Sequence, residues 1–535
     1  MAHIENQQVD KSYYQTGKYR RRWWTLAVLS ASLIIIGLDN TILNVAIPTI
    51  QEELQAAASE LQWMVDAYVL VFASLLLTMG ALGDRFGRKR TLQIGLLVFT
   101  VASFFAAHAQ TSNQLIISRA VMGIGGALIM PSTLSIITDV FPREERGRAI
   151  GIWTGMAAVG IGTGPALGGW LLENFHWGTS FPFDISGDMS NWGSVFLINV
   201  PVIAIALVAG LILVPESRDP APPRIDIAGA LLSMLALLTL VYGIIEAPSR
   251  GWTNGLVLIA FATAAVLIVA FILWEKHAEH PMLNLSFFSN PRFTAGVIAI
   301  TLAFFTMFGT IFISTQYLQF VHGYSPLQAG IRIMPFALGM MVGAANSYRL
   351  VRRMGTNKVA AMGLLILAIM SLSFAFWGTD TAYWIIGISI VVLSFGVSNT
   401  MAPSTDAVMG AVPLAKAGVG SAMNDTTRQV GGAFGVAILG SILNTLYSSQ
   451  MAEKVINLPP QAAGPAQDSV GAAVKVAARV GGPQGQALSE AARNAFVNGM
   501  HSAFFLAAGV ALIAAIFVYK VMPPHHLGED DHAGG

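Results

Sequence analysis

The chain has 535 residues, 54% of them hydrophobic and only 11% charged, with a net charge of +1. Soluble domains carry roughly 25% charged residues, and a globule this large has too much surface for so few charges to cover. Composition therefore excludes an ordinary water-soluble protein. The near-neutral balance gives no sign of a nucleic-acid partner, and the lack of cysteine excludes disulfides, thiol catalysis and cysteine-held metals.

Residues 1–22 form a polar, basic tail. The apolar run that follows continues through Asp39 into a full-length span. That is too long for a cleavable signal, so the first helix itself is the expected targeting segment. A helix needs about 20 mainly apolar residues to cross about 30 Å of hydrocarbon. This rule yields six spans at 23–50, 62–83, 91–110, 113–140, 147–172 and 192–215. Two more fall at 226–247 and 254–275, and the last six at 292–320, 326–349, 357–377, 381–411, 416–446 and 498–522. The predicted fold is an all-α integral membrane protein with fourteen transmembrane helices. A six-helix bundle covers 23–215, a linker with two additional spans covers 216–284, a second bundle covers 285–523, and a tail covers 524–535.

Basic residues favour cytoplasmic loops. With the N-terminus inside, Arg20 to Arg22, Arg85, Arg88, Lys89, Arg90, Arg143, Arg146, Arg148, Arg349, Arg352, Arg353 and Lys358 all sort to the cytoplasm. Both termini are then cytoplasmic. Of the outer loops, 173–191 holds Glu173, Asp184 and Asp188 and no base, while 447–497 is rich in Ala, Gln and Gly. A variable, solvated excursion is the plain expectation for 447–497. Apolar patches at 472–478 and 488–496 suggest the alternative, a helical hairpin over the outer vestibule.

The two halves echo each other. Leu82, Arg85 and Gly87 recur as Leu350, Arg353 and Gly355, and Pro131-Ser132-Thr133 recurs as Pro403-Ser404-Thr405. Duplicated bundles with a site between them are a common carrier architecture. In the second copy Arg352 stands where the first has Asp84, so the acid has no counterpart.

Ionisable residues inside spans are expensive and mark function. Asp39 lies about 22 Å along the first helix at 1.5 Å per residue, and an acid there costs roughly 2.5–3.5 kcal/mol on insertion scales. It needs a cavity or a partner. Arg119 in the fourth span needs an anion, for which Asp39 or Asp66 is the expected choice. Asp84 is placed to accept hydrogen bonds at a neighbouring helix N-terminus, where the dipole favours an anion, with Arg88 and Asp139 completing a charge cluster. Asp425 and Arg428, three apart on one helix face, are expected to neutralise each other. Asp406 near the end of its span faces substrate or water. Arg332 is a misfit unless Asp66 or Glu246 pairs with it. Tyr68, Met122, Phe304, Phe305 and Tyr317 are candidate lining for a pocket in which membrane carboxylates and aromatic faces hold lipophilic cations.

Several of these stretches resemble one family. Gly80-Ala-Leu-Gly-Asp84-Arg85-Phe-Gly87-Arg88-Lys89 resembles the signature loop between helices two and three of major facilitator superfamily transporters. Leu38-Asp39-Asn-Thr41-Ile-Leu-Asn44-Val-Ala-Ile-Pro48 and Trp63-Met-Val-Asp66-Ala-Tyr68 resemble its fourteen-span drug:proton antiporter branch. So do Gln316-Tyr317-Leu-Gln319 and the run from Gly418 to Gly432. The order Gly160, Gly164, Pro165, Gly168, Gly169 in the fifth span is similar to the helix that marks antiporters there. Together these cover nearly all of 23–522.

The resemblance implies proton-coupled efflux of amphipathic, mostly cationic compounds (quaternary ammonium antiseptics, dyes, antibiotics) across a bacterial cytoplasmic membrane. Asp39, Arg119 and Asp66 would serve proton coupling. Asp39, Asp66, Tyr68, Met122, Phe304, Phe305, Tyr317, Asp406 and Asp425 would contact substrate. Gly80, Asp84, Arg85, Gly87, Arg88 and Asp139 would form a conformational gate. Met122 stands where that branch often has Gln. The expected partners are protons, small-molecule cations and membrane lipids, for a monomer needing no cofactor or metal. The alternative cargo is a lipid, a peptide or an endogenous antibiotic. An ATP-driven pump lacks its phosphate loop here, as no G-x-x-x-x-G-K-[ST] occurs, and no span pairs a nucleophile with a base, so an enzyme is not expected.

Overall fold

The structure is a computed structural model. It describes residues 17–524 except 55, 57, 175–190, 218–225, 280, 282, 284, 414, 415 and 457. The loop acids Asp184 and Asp188 and both chain ends lie outside the described residues.

Among the described residues every long element is a helix, one of the two ways a backbone can satisfy itself where lipid excludes water. The first six are α1 (Gly17–Leu54), α2 (Ala58–Phe86), α3 (Arg88–Ala107), α4 (Ser112–Val140), α5 (Arg143–Asn174) and α6 (Ser194–Leu213). Next come α7 (Ile227–Arg250) and α8 (Gly255–His277). The second half has α9 (Pro291–Gln316), α10 in two pieces (Pro326–Ile333 and Pro335–Met354), α11 (Thr356–Phe374), α12 (Tyr383–Gly410) and α13 (Ala417–Met451). It closes with α14 (Pro460–Asp468), α15 (Val470–Val480) and α16 (Gly482–Val521). Among the described residues thirteen helices are long and apolar enough to cross a membrane, and α5, bent by 40° between Gly164 and Ala166, makes a fourteenth. The bend falls at Pro165, whose nitrogen has no hydrogen to donate to the preceding turn.

Two hydrophobic cores organise these helices. One gathers α1 to α6, the other α9 to α13 with α16. Small residues set the closest approaches, as expected where lipid supplies no hydrophobic drive between helices. A Cβ on Gly164 would lie 3.0 Å from the Leu38 carbonyl and overlap Thr41, and one on Gly168 would lie 2.8 Å from Ile42 Cγ1. Gly160 abuts the backbone of Ile34 in the same way. The glycines of α5 thus dock α1 and fix the height at which Asp39 sits. The sequence echo is visible in the backbone: Gly87 and Gly355 begin α3 and α11 with φ of 106° and 87°, a region that side chains avoid.

The bundles meet along two seams, α2 with α13 and α5 with α10. The inserted pair α7–α8 covers the first seam, since α7 packs on both α2 and α13. Tyr242 stacks on Trp63 with centroids 6.2 Å apart, and Trp252 Nε1 donates to Ser441 Oγ at 2.9 Å.

The segment 447–497 corrects the expectation of a solvated excursion. It extends α13, forms α14 and α15, and supplies the first turns of a continuous 40-residue α16. Val470, Ala473, Ala477, Leu488, Ala492 and Phe496 are buried in the second core, and Tyr447 Oη donates to the Ala466 carbonyl at 3.0 Å. The apolar patches decide the outcome: they pay for ordering by burial on the bundle end.

Candidate functional site: two buried ion pairs and a latch between bundles

Asp39 and Arg119 meet in the first core. Arg119 Nη1 lies 2.5 Å from Asp39 Oδ2, its Nε donates to the Met64 carbonyl at 3.0 Å, and its guanidinium carbon sits 4.5 Å from the Tyr68 ring centre. Asp39 is 0% exposed and Arg119 1%. One cation therefore ties α1, α2 and α4 together. The other carboxylate oxygen of Asp39 has no hydrogen-bond partner among the described residues. Removing one member of such a pair leaves an uncompensated buried charge, at about 3–5 kcal/mol.

The surroundings revise part of the expected pocket lining. Tyr68 is buried against Phe72 and Phe99 and holds Arg119. Met122 is fully buried in the first core. Tyr68 therefore braces the ion pair, and Met122 is part of the core around α4. Asp66, two residues from Met64, is half-buried. Tyr317 is also displaced from the expected lining: it is buried in the second core, packs on Trp377 and donates to the Gly378 carbonyl at 2.6 Å. It begins a π-turn, Tyr317–Val321, in which the next residue, His322, is wedged against Tyr317 and Tyr324. Burial pushes the His322 imidazole below its ordinary range.

At the opposite end, Asp84 spans the bundles. Its carboxylate accepts from the N–H groups of Gly418 at 2.9 Å and Val419 at 3.2 Å, the first turn of α13. Arg88 grips the same carboxylate through Nε at 2.9 Å and Nη2 at 2.8 Å, and reaches Ser217 Oγ at 3.0 Å. The anion thus receives helix-terminal donors and a guanidinium together. Gly80 makes the approach possible, because a Cβ there would run into Gly418 and Ala422. Gly87 frees the chain to turn back into α3. Arg85 and Asp139 are half-buried at the same end, Asp139 in the last turn of α4. Met409 and Ala417 of the second bundle pack into the first core, so this end of the interface is closed.

In the second core, Asp425 Oδ1 lies 3.6 Å from Arg428 Nη1. Arg428 also donates to Thr405 Oγ1 at 3.3 Å and faces the rings of Trp153 at 5.0 Å and Phe304 at 5.5 Å. Phe305 is buried on α9 beside Gly435. Asp406 pairs with Arg292 at 3.5 Å. Arg332 meets neither expected acid: its guanidinium carbon lies 3.8 Å from the Tyr324 ring and 5.5 Å from that of Tyr383, while Glu246 pairs with Arg250. The partners Ser217 and Trp153 had no signal in the sequence beyond being a polar and an aromatic residue in or beside an apolar span, and Thr405 had only its place in the Pro-Ser-Thr repeat. No group of three metal-ligating side chains occurs among the described residues.

Two helical bundles closed on each other around buried charges define a polytopic membrane carrier. Residues 29–436 match the Major Facilitator Superfamily, and the chain belongs to that family. It is a multi-pass transporter and not an enzyme. It is 36% identical to the multidrug efflux pump LfrA of Mycolicibacterium smegmatis, over 93% of this chain and 96% of that one. It is 34% identical to the tetracenomycin C resistance and export protein of Streptomyces glaucescens, over 96% and 95%. It is 33% identical to the methyl viologen resistance protein SmvA of Salmonella typhimurium, over 92% and 96%. The fold alone is shared with the proton:xylose symporter XylE, at 13% identity with a TM-score of 0.61, over 94% of this chain and 96% of that one. A bacterial homologue of the lysosomal transporter Spinster, inward-facing, gives 0.57 at 20% identity, over 94% and 98%.

Proposed function

We propose that this protein exports amphipathic, mostly cationic drugs by exchange for protons, from a bacterial cytoplasm through a cytoplasmic membrane in which both its termini lie inside. Relatedness to multidrug and antibiotic exporters supports the direction and the cargo class. The observation that carries the coupling is the Asp39–Arg119 pair: a sealed carboxylate with one unpartnered oxygen, bonded to a cation that touches three helices. A proton arriving at that oxygen neutralises Asp39 and loosens Arg119 from α1. With that tie loosened, α1, α2 and α4 are free to pack differently, so occupancy and conformation are linked. Half-buried Asp66 is the acid assigned to the cation, and the aromatic faces of Phe304 on α9 and Trp153 on α5 are assigned to the same surface. The Asp84 latch holds the cytoplasmic end shut until that change occurs.

The two features that favoured a lipid, peptide or other cargo have structural explanations. Arg332 lies against the rings of Tyr324 and Tyr383 and donates to the Gln328 carbonyl, and the segment 447–497 is packed on the second bundle. The energy is adequate: a tenfold concentration ratio needs about 1.4 kcal/mol, and a pH difference of about one unit supplies about that much for each proton exchanged. The test is ethidium efflux from a pump-deficient bacterium expressing the chain. Wild-type efflux stops on adding a protonophore, and Asp39→Asn abolishes it at equal expression. Efflux that persists in both conditions would refute the reading.

A further inference from the structure

The second ion pair has no part in the cycle above, and its placement on α13 is informative. Gly418, Ser421, Asp425 and Arg428 are spaced three, four and three apart, so they share one face of that helix. At one end of the face Asp84 accepts from Gly418 and Val419. About 10 Å further along, at 1.5 Å per residue, Asp425 meets Arg428 and accepts from Asn424 Nδ2 at 3.3 Å. Thr405 of α12 links the two by donating to Asn424 Oδ1 at 3.0 Å and accepting from Arg428. Asp425 is wholly buried. A drug-sized cation has no route to it in this state, whereas a proton needs only a chain of hydrogen bonds.

Such a chain has its stations. Ser404 Oγ, Ser421 Oγ, Asp425 Oδ2, Thr426 Oγ1 and Arg428 Nε are buried without a hydrogen-bond partner among the described residues. Buried polar atoms of this kind are where ordered water binds, each water using two to four polar neighbours. Arg428 is the charged group that meets Asp425. From α5, α9 and α12 the same site receives Trp153, Phe304 and Thr405, all uncharged. Asp406 of α12 is turned to Arg292, and Asp139 lies at the far end of α4.

We propose that this face of α13 is a proton path through the second bundle, with Asp425 as its carrier and the Asp84 latch as its stopper. The inference rests on the proton-coupled reading. A proton binds Asp425 Oδ2 to give the neutral acid. Arg428 keeps its charge and stays held against the Trp153 and Phe304 faces and by Thr405. When Asp84 releases the first turn of α13, Ser421 meets cytoplasmic water, the proton leaves as hydronium, and the carboxylate re-forms. Each cycle then moves one proton at Asp39 and one at Asp425, so exchange for a monovalent cation carries net charge.

The test uses the full chain in proteoliposomes with ethidium as the probe. Ethidium counterflow, protons released per ethidium, and uptake driven by membrane potential alone are compared in wild type, Asp425→Asn, Asp425→Glu and Ser421→Ala. Asp425→Asn should release about half the protons per ethidium and lose potential-driven uptake, because no net charge then moves. Asp425→Glu should restore both. Ser421→Ala should slow proton release about tenfold, by about 1.4 kcal/mol in barrier, which keeps the path testable if Asp425→Asn does not fold. An unchanged proton ratio in Asp425→Asn, or an unchanged release rate in Ser421→Ala, overturns the path. If Asp39→Asn loses proton release while both of those variants keep it, the coupling stands and the path falls. If wild type releases no protons, the coupling itself fails and the path with it.

Discussion

The Asp39–Arg119 and Asp425–Arg428 pairs are both buried charges in a membrane bundle, yet they differ in what they join. The first runs between α1 and α4 at 2.5 Å, with a further contact to α2; the second runs within α13 at 3.6 Å. A pair between helices makes their relative position depend on its charge. A pair within one helix leaves helix positions alone and lowers the cost of keeping a titratable group in oil. On the mechanism proposed, a proton at Asp39 changes how helices are tied, whereas a proton at Asp425 passes without untying them.

The sharpest way to break that contrast is to unpair each arginine. Arg119→Ala should destabilise the protein by about 3–5 kcal/mol and abolish transport, because Asp39 is left buried alone. Asp39→Asn with Arg119→Gln should recover most of the stability but none of the transport. Thermal unfolding in detergent alongside efflux checks both, and a double variant that regained efflux would make the pair merely structural.

Next in size is the docking of α1 on α5. Gly164→Val forces a side chain into Thr41 and Leu38 and should cost about 1–3 kcal/mol. It should impair proton release more than ethidium binding, since it displaces Asp39. Equal loss of both would remove the link between the glycines of α5 and the coupling acid.

The latch gives a comparable effect on conformation. Asp84→Ala removes charge-assisted hydrogen bonds, each worth about 1.5–3 kcal/mol, and should populate a state open at the basic end. The chain has no cysteine, so spin labels at Arg90→Cys and Arg352→Cys report the bundle separation directly. The variant should show a longer distance, and an unchanged distribution would sink the latch.

The smallest effect concerns pH at the far end. Burial favours neutral His322, whose value lies below the unfolded one of about 6.5. The resulting stability is complete above that value and is lost as pH falls through the folded one. Thermal unfolding between pH 7 and pH 5 should therefore show a loss that His322→Gln removes.

How far the sequence revealed this depended on the kind of feature. Span positions were legible because hydropathy and charge report the solvent directly, and Asp39, Arg119 and Asp84 stood out because charge inside an apolar run is conspicuous. What ordinary residues do was hidden. Tyr68, Met122 and Tyr317 looked like pocket lining, since an aromatic or Met side chain reads the same facing a core or a cavity. Arg332 looked unpaired because a cation–π contact leaves no acidic partner to find. The segment 447–497 looked solvated because its apolar residues are mostly alanines, whose packing becomes evident only against the bundle end.

The most direct test of the account is proteoliposome transport under an imposed acid gradient, outside-acid relative to the compartment holding ethidium. The account predicts that wild type moves ethidium uphill towards the acid compartment while protons run the other way, and that Asp39→Asn equilibrates it or is inert. Uphill movement by Asp39→Asn equal to wild type would contradict the central role of the Asp39–Arg119 pair.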